Sequence, residues 1–129
     1  MQDTHARNTT IISVVDDEES VRTALESLLR SNGHEVQTYS NALDFLQSSG
    51  PFVTHCLISD IQMPGMSGVE MCQVLVARGI RLPVILITGH PEARQPADTN
   101  ALNLVAVLSK PFRSAELLAC MESALQKRT

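Results

Sequence analysis

The chain has 129 residues, a net charge of −4 and a hydrophobic fraction of 43%. This length suits one compact domain, and the acidic balance argues against a nucleic-acid surface within the chain. No apolar run approaches a membrane span in length, and the polar residues 1–10 lack the apolar segment of a signal peptide. We therefore expect a cytoplasmic globular domain without membrane association, preceded by a flexible tail over residues 1–10. The three cysteines Cys56, Cys72 and Cys120 lack metal-ligand spacing and are interpreted as reduced core residues.

Strand-like and helix-like patterns alternate along the chain from residue 11. Residues 11–15 form a short apolar run rich in β-branched side chains, which predicts a buried strand. Apolar residues from Val21 to Leu29 recur at helical spacing, and Gly33 marks the end of that helix. The next predicted elements are a strand over 36–39, a short helix capped by Ser40 or Asn41 and ending near Gly50–Pro51, and a strand within 52–59.

The second half continues the alternation after a loop over residues 60–67. Ser67 and Glu70 have the spacing of a capping box, which predicts a helix running to about Arg78. Residues 82–87 and 104–108 predict the fourth and fifth strands, and Ser114 is a candidate cap for a last helix. Between these strands, residues 90–103 give a weak pattern with two prolines, and we expect the segment 92–103 to be the least stable part of the domain.

The alternation predicts an α/β fold of the (βα)5 type, a doubly wound parallel sheet of five strands. Short right-handed crossovers favour the strand order 2-1-3-4-5, as in flavodoxin-like proteins. We expect this domain to cover residues 11–126, with 127–129 forming a C-terminal tail or the start of a linker.

Polar residues collect at the predicted carboxyl ends of four strands, where open parallel sheets bind ligands. The residues that follow these strands are Asp16, Asp17, Glu18 and Glu19 after the first, Asp60 after the third, Thr88, Gly89 and His90 after the fourth, and Ser109 and Lys110 after the fifth.

Carboxylates brought together in this way repel one another, by about 4 kcal/mol for a close pair at an effective dielectric constant near 20. A hard divalent cation such as Mg²⁺, Mn²⁺ or Ca²⁺ would relieve the repulsion. A cation, the ammonium group of Lys110 and the hydroxyl group of Thr88 could together stabilise a transferring phosphoryl group. The carboxylate among them could serve as the nucleophile and form an aspartyl phosphate.

Four segments in this order and spacing resemble the response-regulator receiver domain of two-component signalling, a CheY-like superfamily. The resemblance covers residues 10–126 and rests on Val-Val-Asp-Asp-Glu at 14–18, Ile-Ser-Asp-Ile-Gln-Met-Pro-Gly-Met-Ser-Gly at 58–68, Ile-Thr-Gly-His at 87–90 and Ser-Lys-Pro-Phe at 109–112.

The resemblance implies a role for each site residue. Asp60 would be the phosphoacceptor, Thr88 would hydrogen-bond the phosphoryl group, and Lys110 would pair with it. Mg²⁺, with Mn²⁺ as an alternative, would be held by Asp16, Asp17, Asp60 and the main-chain carbonyl of Gln62. The bond between Lys110 and Pro111 would be cis. The side chains of Gln62 and His90 would border the phosphoryl group, and the sequence leaves open whether they tune its rates or only face solvent.

The implied function is a switch phosphorylated by a sensor histidine kinase, which then alters partner binding or dimerisation and controls transcription through an output domain outside this chain. A homodimer would use residues 92–108 and 113–126. The chain would promote only its own phosphorylation and dephosphorylation and would not be an enzyme with a separate substrate. One departure from the family is Val107, where many receivers carry an aromatic switch residue.

Two alternative functions fit these residues less well. A phosphatase of the haloacid dehalogenase type would need a second acid two residues after the nucleophile, where this chain has Gln62. A degenerate receiver acting as a constitutive binding module is disfavoured by the intact set of acids, threonine and lysine.

Overall fold

The computed structural model describes residues 9–89 and 101–126. Five parallel strands form one sheet in the order β2-β1-β3-β4-β5, which confirms the predicted topology. The strands are β1 (Ile11–Val15), β2 (Glu35–Tyr39), β3 (Cys56–Asp60), β4 (Val84–Thr88) and β5 (Leu104–Ser109). The helices are α1 (Glu19–Ser31), α2 (Ala42–Gln47), the one-turn α3 (Gly50–Val53), α4 (Gly68–Ala77) and α5 (Ser114–Gln126).

Helices cover the sheet on both faces, so its central strands are buried and mainly apolar. Every residue of β3 and β4 is buried. Because successive side chains of a strand point to opposite faces, Leu57 joins one core cluster and Ile58 the other. The first cluster also takes Phe45, Met71 and Leu75 from α2 and α4, and the second takes Leu25, Leu29, Leu117 and Met121 from α1 and α5. Packing on both faces fixes the positions of the strands, whose carboxyl ends share one edge of the sheet.

Most element boundaries follow the predicted patterns. Asn41 caps α2 by accepting a hydrogen bond from the main-chain N–H of Asp44, and the capping box of Ser67 and Glu70 begins α4 as predicted. The third strand starts later than its segment suggested, because Gly50–Val53 forms α3, where Phe52 is 77% exposed. The last helix begins at Ser114 itself.

Several predictions concern residues outside the described ranges. Most of the segment 92–103, which we expect to be the least stable, lies outside the described residues. His90, the fourth crossover and part of the proposed dimer surface also lie outside them. The tails over 1–8 and 127–129 are likewise outside. Within residues 9–89 and 101–126, no helix combines the length and apolar character that crossing a membrane requires.

Candidate functional site

Four strands deliver polar side chains to the carboxyl edge of the sheet. Asp60 is the last residue of β3 and Thr88 the last of β4, while Asp16 and Lys110 directly follow β1 and β5. These strands are neighbours in the sheet, and the register sets Asp60 beside Ile87 and Thr88 beside Ser109. The fold therefore brings these four predicted residues to one edge of the sheet although they are far apart in sequence.

Three carboxylates form the centre of the site. Asp16, Asp17 and Asp60 each offer one oxygen, and these three atoms lie within 4.8 Å of one another. Asp17 is exposed, whereas Asp16 and Asp60 are only 1% and 7% exposed. Burial raises the pKa of Asp60 and of Asp16, and the nearby positive charge of Lys110 opposes this increase at both residues. Keeping all three groups charged thus requires a further positive charge.

The hydrogen bonds around these carboxylates are unequal. The Oδ1 atom of Asp16 accepts a bond of 2.9 Å from the main-chain N–H of Glu18, and its main-chain carbonyl accepts one of 2.7 Å from Arg22. These contacts fix the turn from β1 into α1. The Oδ1 atom of Asp60, by contrast, is buried without a hydrogen-bond partner among the residues that the structure describes. An orphaned carboxylate oxygen beside two other carboxylates fits a hard divalent cation such as Mg²⁺.

The ammonium group of Lys110 lies beside the acids that follow β1. Its Nζ atom is 3.9 Å from Oδ2 of Asp16 and 3.7 Å from Oε1 of Glu18. The peptide bond between Lys110 and Pro111 is cis, as the family resemblance implied. Sequence reasoning placed Lys110 in the site but missed its pairing with Glu18, because nothing in the pattern after β1 separates this acid from its neighbours.

Thr88 is fully buried and links two parts of the site. Its hydroxyl group donates a hydrogen bond of 3.1 Å to Oε1 of Gln62, and its main-chain carbonyl accepts one of 2.8 Å from the N–H of Lys110. Gln62 thus reaches the site through its side chain. The predicted role of its main-chain carbonyl in metal binding stays a prediction.

Gly68 is a site residue that sequence reasoning did not single out. A Cβ atom there would overlap the main-chain oxygen of Asp60, so only glycine lets α4 begin this close to the end of β3. The same oxygen accepts a hydrogen bond of 2.9 Å from the hydroxyl of Ser59, and the N–H of Gly68 donates one of 2.9 Å to the carbonyl of Ile61. Together these contacts hold the main chain that carries Asp60.

Comparison with known proteins decides the family. The family model of the response regulator receiver domain matches residues 12–122. This chain belongs to the response regulator receiver family. The four segments that carried the resemblance all fall within the matched range, and their polar residues are those that the fold gathers at the carboxyl edge of the sheet.

Curated relatives of this receiver domain include bacterial regulators. It is 39% identical over 124 residues to nodulation protein W of Bradyrhizobium diazoefficiens, a match that covers 96% of this chain and 55% of that protein. It is 35% identical over 114 residues to the transcriptional regulatory protein FixJ of Azorhizobium caulinodans, covering 88% of this chain and 54% of that protein. The chain therefore spans about half the length of the curated relatives that it matches.

Solved receiver structures share the architecture. The response regulator StyR superposes with a TM-score of 0.86 at 38% identity, covering 92% of this chain and 60% of that one. The response regulator protein TrrA of Thermotoga maritima, solved in complex with Mg²⁺ and BeF, gives a TM-score of 0.80 at 28% identity. That match covers 91% of this chain and 100% of the other.

Proposed function

We propose that this receiver domain is a phosphorylation-activated switch that accepts a phosphoryl group on Asp60. The observation that carries the proposal is the orphaned, buried carboxylate oxygen of Asp60, which lies among the carboxylates of Asp16 and Asp17. A buried carboxylate beside two others is costly to keep charged unless a cation offsets their repulsion. Thr88 and Lys110 supply the hydroxyl and ammonium groups that such a site needs.

The proposed reaction is a displacement at phosphorus. A carboxylate oxygen of Asp60 forms a bond to the phosphorus atom while the bond from phosphorus to the imidazole nitrogen of a phosphohistidine donor breaks, and the electron pair leaves with that nitrogen. The Thr88 hydroxyl donates a hydrogen bond to a phosphoryl oxygen, and Lys110 offsets its negative charge. Asp16, Asp17, Asp60 and the main-chain carbonyl of Gln62 would hold Mg²⁺, or Mn²⁺ in its place. The bound ion supplies positive charge against the phosphoryl oxygens.

The relatives support a cellular setting for the switch. One is named a transcriptional regulatory protein and the other a nodulation protein, and both are about twice as long as the matched region. We propose that a sensor histidine kinase donates the phosphoryl group and that an output domain outside these residues controls transcription in the cytoplasm. The receiver unit would cover residues 11–126, flanked by tails at 1–10 and 127–129, and phosphorylation would promote a homodimer through 92–108 and 113–126. In this setting the chain acts on no substrate besides its own Asp60.

The assignment of Asp60 is tested by intact-mass measurement after incubation with acetyl phosphate and Mg²⁺. We expect one phosphoryl adduct on the wild-type chain and none on Asp60→Asn, which keeps the shape of the side chain but loses the nucleophilic charge. An undiminished adduct on the variant would refute Asp60 as the acceptor. A wild-type chain that stays unmodified would instead favour a constitutive binding module.

The metal requirement is tested in the same assay. Chelation of divalent cations should abolish the adduct, and Asp17→Ala should lose most of the Mg²⁺ affinity in a calorimetric titration because it removes a direct ligand and much of the local charge. Glu19 offers a matched control, since Glu19→Ala removes an equal charge from the first turn of α1 but no proposed ligand. Equal losses in the two variants would contradict the assigned ligand set.

A further inference from the structure

In the unphosphorylated chain, Thr88 donates its hydroxyl proton to Gln62. The proposed function requires Thr88 to donate the same proton to a phosphoryl oxygen. Thr88 is fully buried, and its Oγ1 donates to Oε1 of Gln62 over 3.1 Å. A threonine hydroxyl carries one proton and can donate it to one acceptor at a time. While Gln62 accepts this proton, it is not available to a phosphoryl oxygen on Asp60.

Main-chain contacts hold both partners of this bond in place. The N–H of Ile61 donates to the carbonyl of Ile87 over 2.8 Å, which ties the residue before Gln62 to the strand that carries Thr88. The N–H of Lys110 in turn donates to the carbonyl of Thr88 over 2.8 Å. The main chain next to Gln62 and the main chain of Thr88 are therefore both anchored to the sheet.

We propose that the side-chain amide of Gln62 is a brake on the switch: it holds the hydroxyl proton of Thr88 in the unphosphorylated chain, so that phosphorylation must break this bond. The inference rests on the proposed function, since it assumes that Thr88 turns its hydroxyl toward a phosphoryl group on Asp60. Gln62 acts through Thr88 and is thus a positioning residue. The residue is exposed, so we expect a substitution there to change the free energy of unfolding little.

The test measures the affinity for beryllium fluoride at saturating Mg²⁺, the combination found in the TrrA structure. Gln62→Met keeps the length of the side chain but offers no amide acceptor. We expect this variant to bind beryllium fluoride more tightly, by roughly two- to tenfold, the equivalent of one hydrogen bond that no longer has to be broken.

Variants of Thr88 show whether the gain acts through its hydroxyl group. In a Thr88→Ser background, which keeps a hydroxyl, Gln62→Met should still tighten binding. In a Thr88→Val background, which keeps the shape without the hydroxyl, the gain should disappear. The methyl NMR signal of Thr88 should also shift in the unliganded Gln62→Met chain, which reports the broken bond directly.

The outcomes separate this inference from the proposed function. Weaker or unchanged binding by Gln62→Met would overturn the brake, and weaker binding would make the amide a direct ligand of the phosphoryl group. An equal gain in the Thr88→Val background would also overturn it. If the wild-type chain binds beryllium fluoride no better than Asp60→Asn, the proposed function itself fails, and the brake fails with it.

Discussion

Asp60 and Asp16 are carboxylates in surroundings that favour their neutral forms. Both are almost completely buried, and burial is the largest cause of their raised pKa values. A pKa raised by folding means that the folded chain binds protons more tightly than the unfolded chain. The stability that these two groups contribute is therefore fully present below their ordinary value of 3.8 and is lost as the pH rises through the raised folded values. At neutral pH and without a cation, the charged groups destabilise the fold.

This argument predicts that Asp60→Asn stabilises the metal-free chain. In chelator-treated buffer at pH 7, we expect the free energy of unfolding to increase by roughly 1 kcal/mol, or about 3 °C in melting temperature, measured by thermal unfolding followed by circular dichroism. The gain should become smaller as the pH is lowered toward the raised pKa of Asp60, because the wild-type carboxyl group then takes up its proton. Added Mg²⁺ should stabilise the wild type more than the variant. A variant less stable than the wild type in metal-free buffer would show that the charged Asp60 carboxylate does not destabilise the fold.

Helix α4 begins directly against the main chain of Asp60, where its first residue, Gly68, lies. The capping box before it provides two hydrogen bonds. Ser67 Oγ accepts one of 3.1 Å from the N–H of Glu70, and the Glu70 carboxylate accepts one of 2.9 Å from the N–H of Ser67. The cap thus fixes where the loop after Asp60 ends and the helix begins.

Removal of this cap should destabilise the domain. We expect Ser67→Ala to lower the free energy of unfolding by about 1 kcal/mol, measured by urea denaturation, because the N–H of Glu70 loses its acceptor. Ser31→Ala is the matched control: its hydroxyl donates to the carbonyl of Leu28 at the exposed end of α1, and its loss should change stability by less than about 0.5 kcal/mol. Similar losses in both variants would mean that the capping box contributes no more than an ordinary surface hydrogen bond.

On the scale of the whole molecule, the question is how a change at Thr88 reaches a distant surface. Val107 pairs with Leu86 on β4 and packs, partly buried, against the core cluster that contains Phe45 and Met71. Its β-branched side chain is short and has few rotamers, so it cannot swing between an exposed and a buried position as a large ring can. We expect the signal to pass instead through a shift in the population of the segment 92–103, most of which lies outside the described residues.

A comparison of two alanine variants tests this route. Thr88→Ala should uncouple phosphorylation from dimerisation or partner binding, whereas Val107→Ala should keep most of the coupling. Sedimentation of the phosphorylated and unphosphorylated forms would measure dimerisation, with phosphoryl content and unfolding free energy determined on the same samples. If Val107→Ala abolishes the response at unchanged stability and phosphoryl content, Val107 acts as the switch residue despite its size.

The sequence alone determined the fold and which polar residues follow its strands. Apolar periodicity reports which faces of an element are buried, and parallel strands always end at the same edge, so the polar residues after β1, β3, β4 and β5 had to meet. The apolar pair Phe52 and Val53 shows the limit of such patterns: its apolar character predicts part of a strand, but both side chains are exposed on helix α3.

Only the tertiary structure decided how the site residues pair. The contacts of Lys110 with Glu18, of Thr88 with Gln62 and of Gly68 with the main chain of Asp60 each join separate parts of the chain. Such pairs depend on strand register and on the angle at which a helix begins, to within about an ångström. Local periodicity carries no information at that precision, because it is set by the packing of the whole chain.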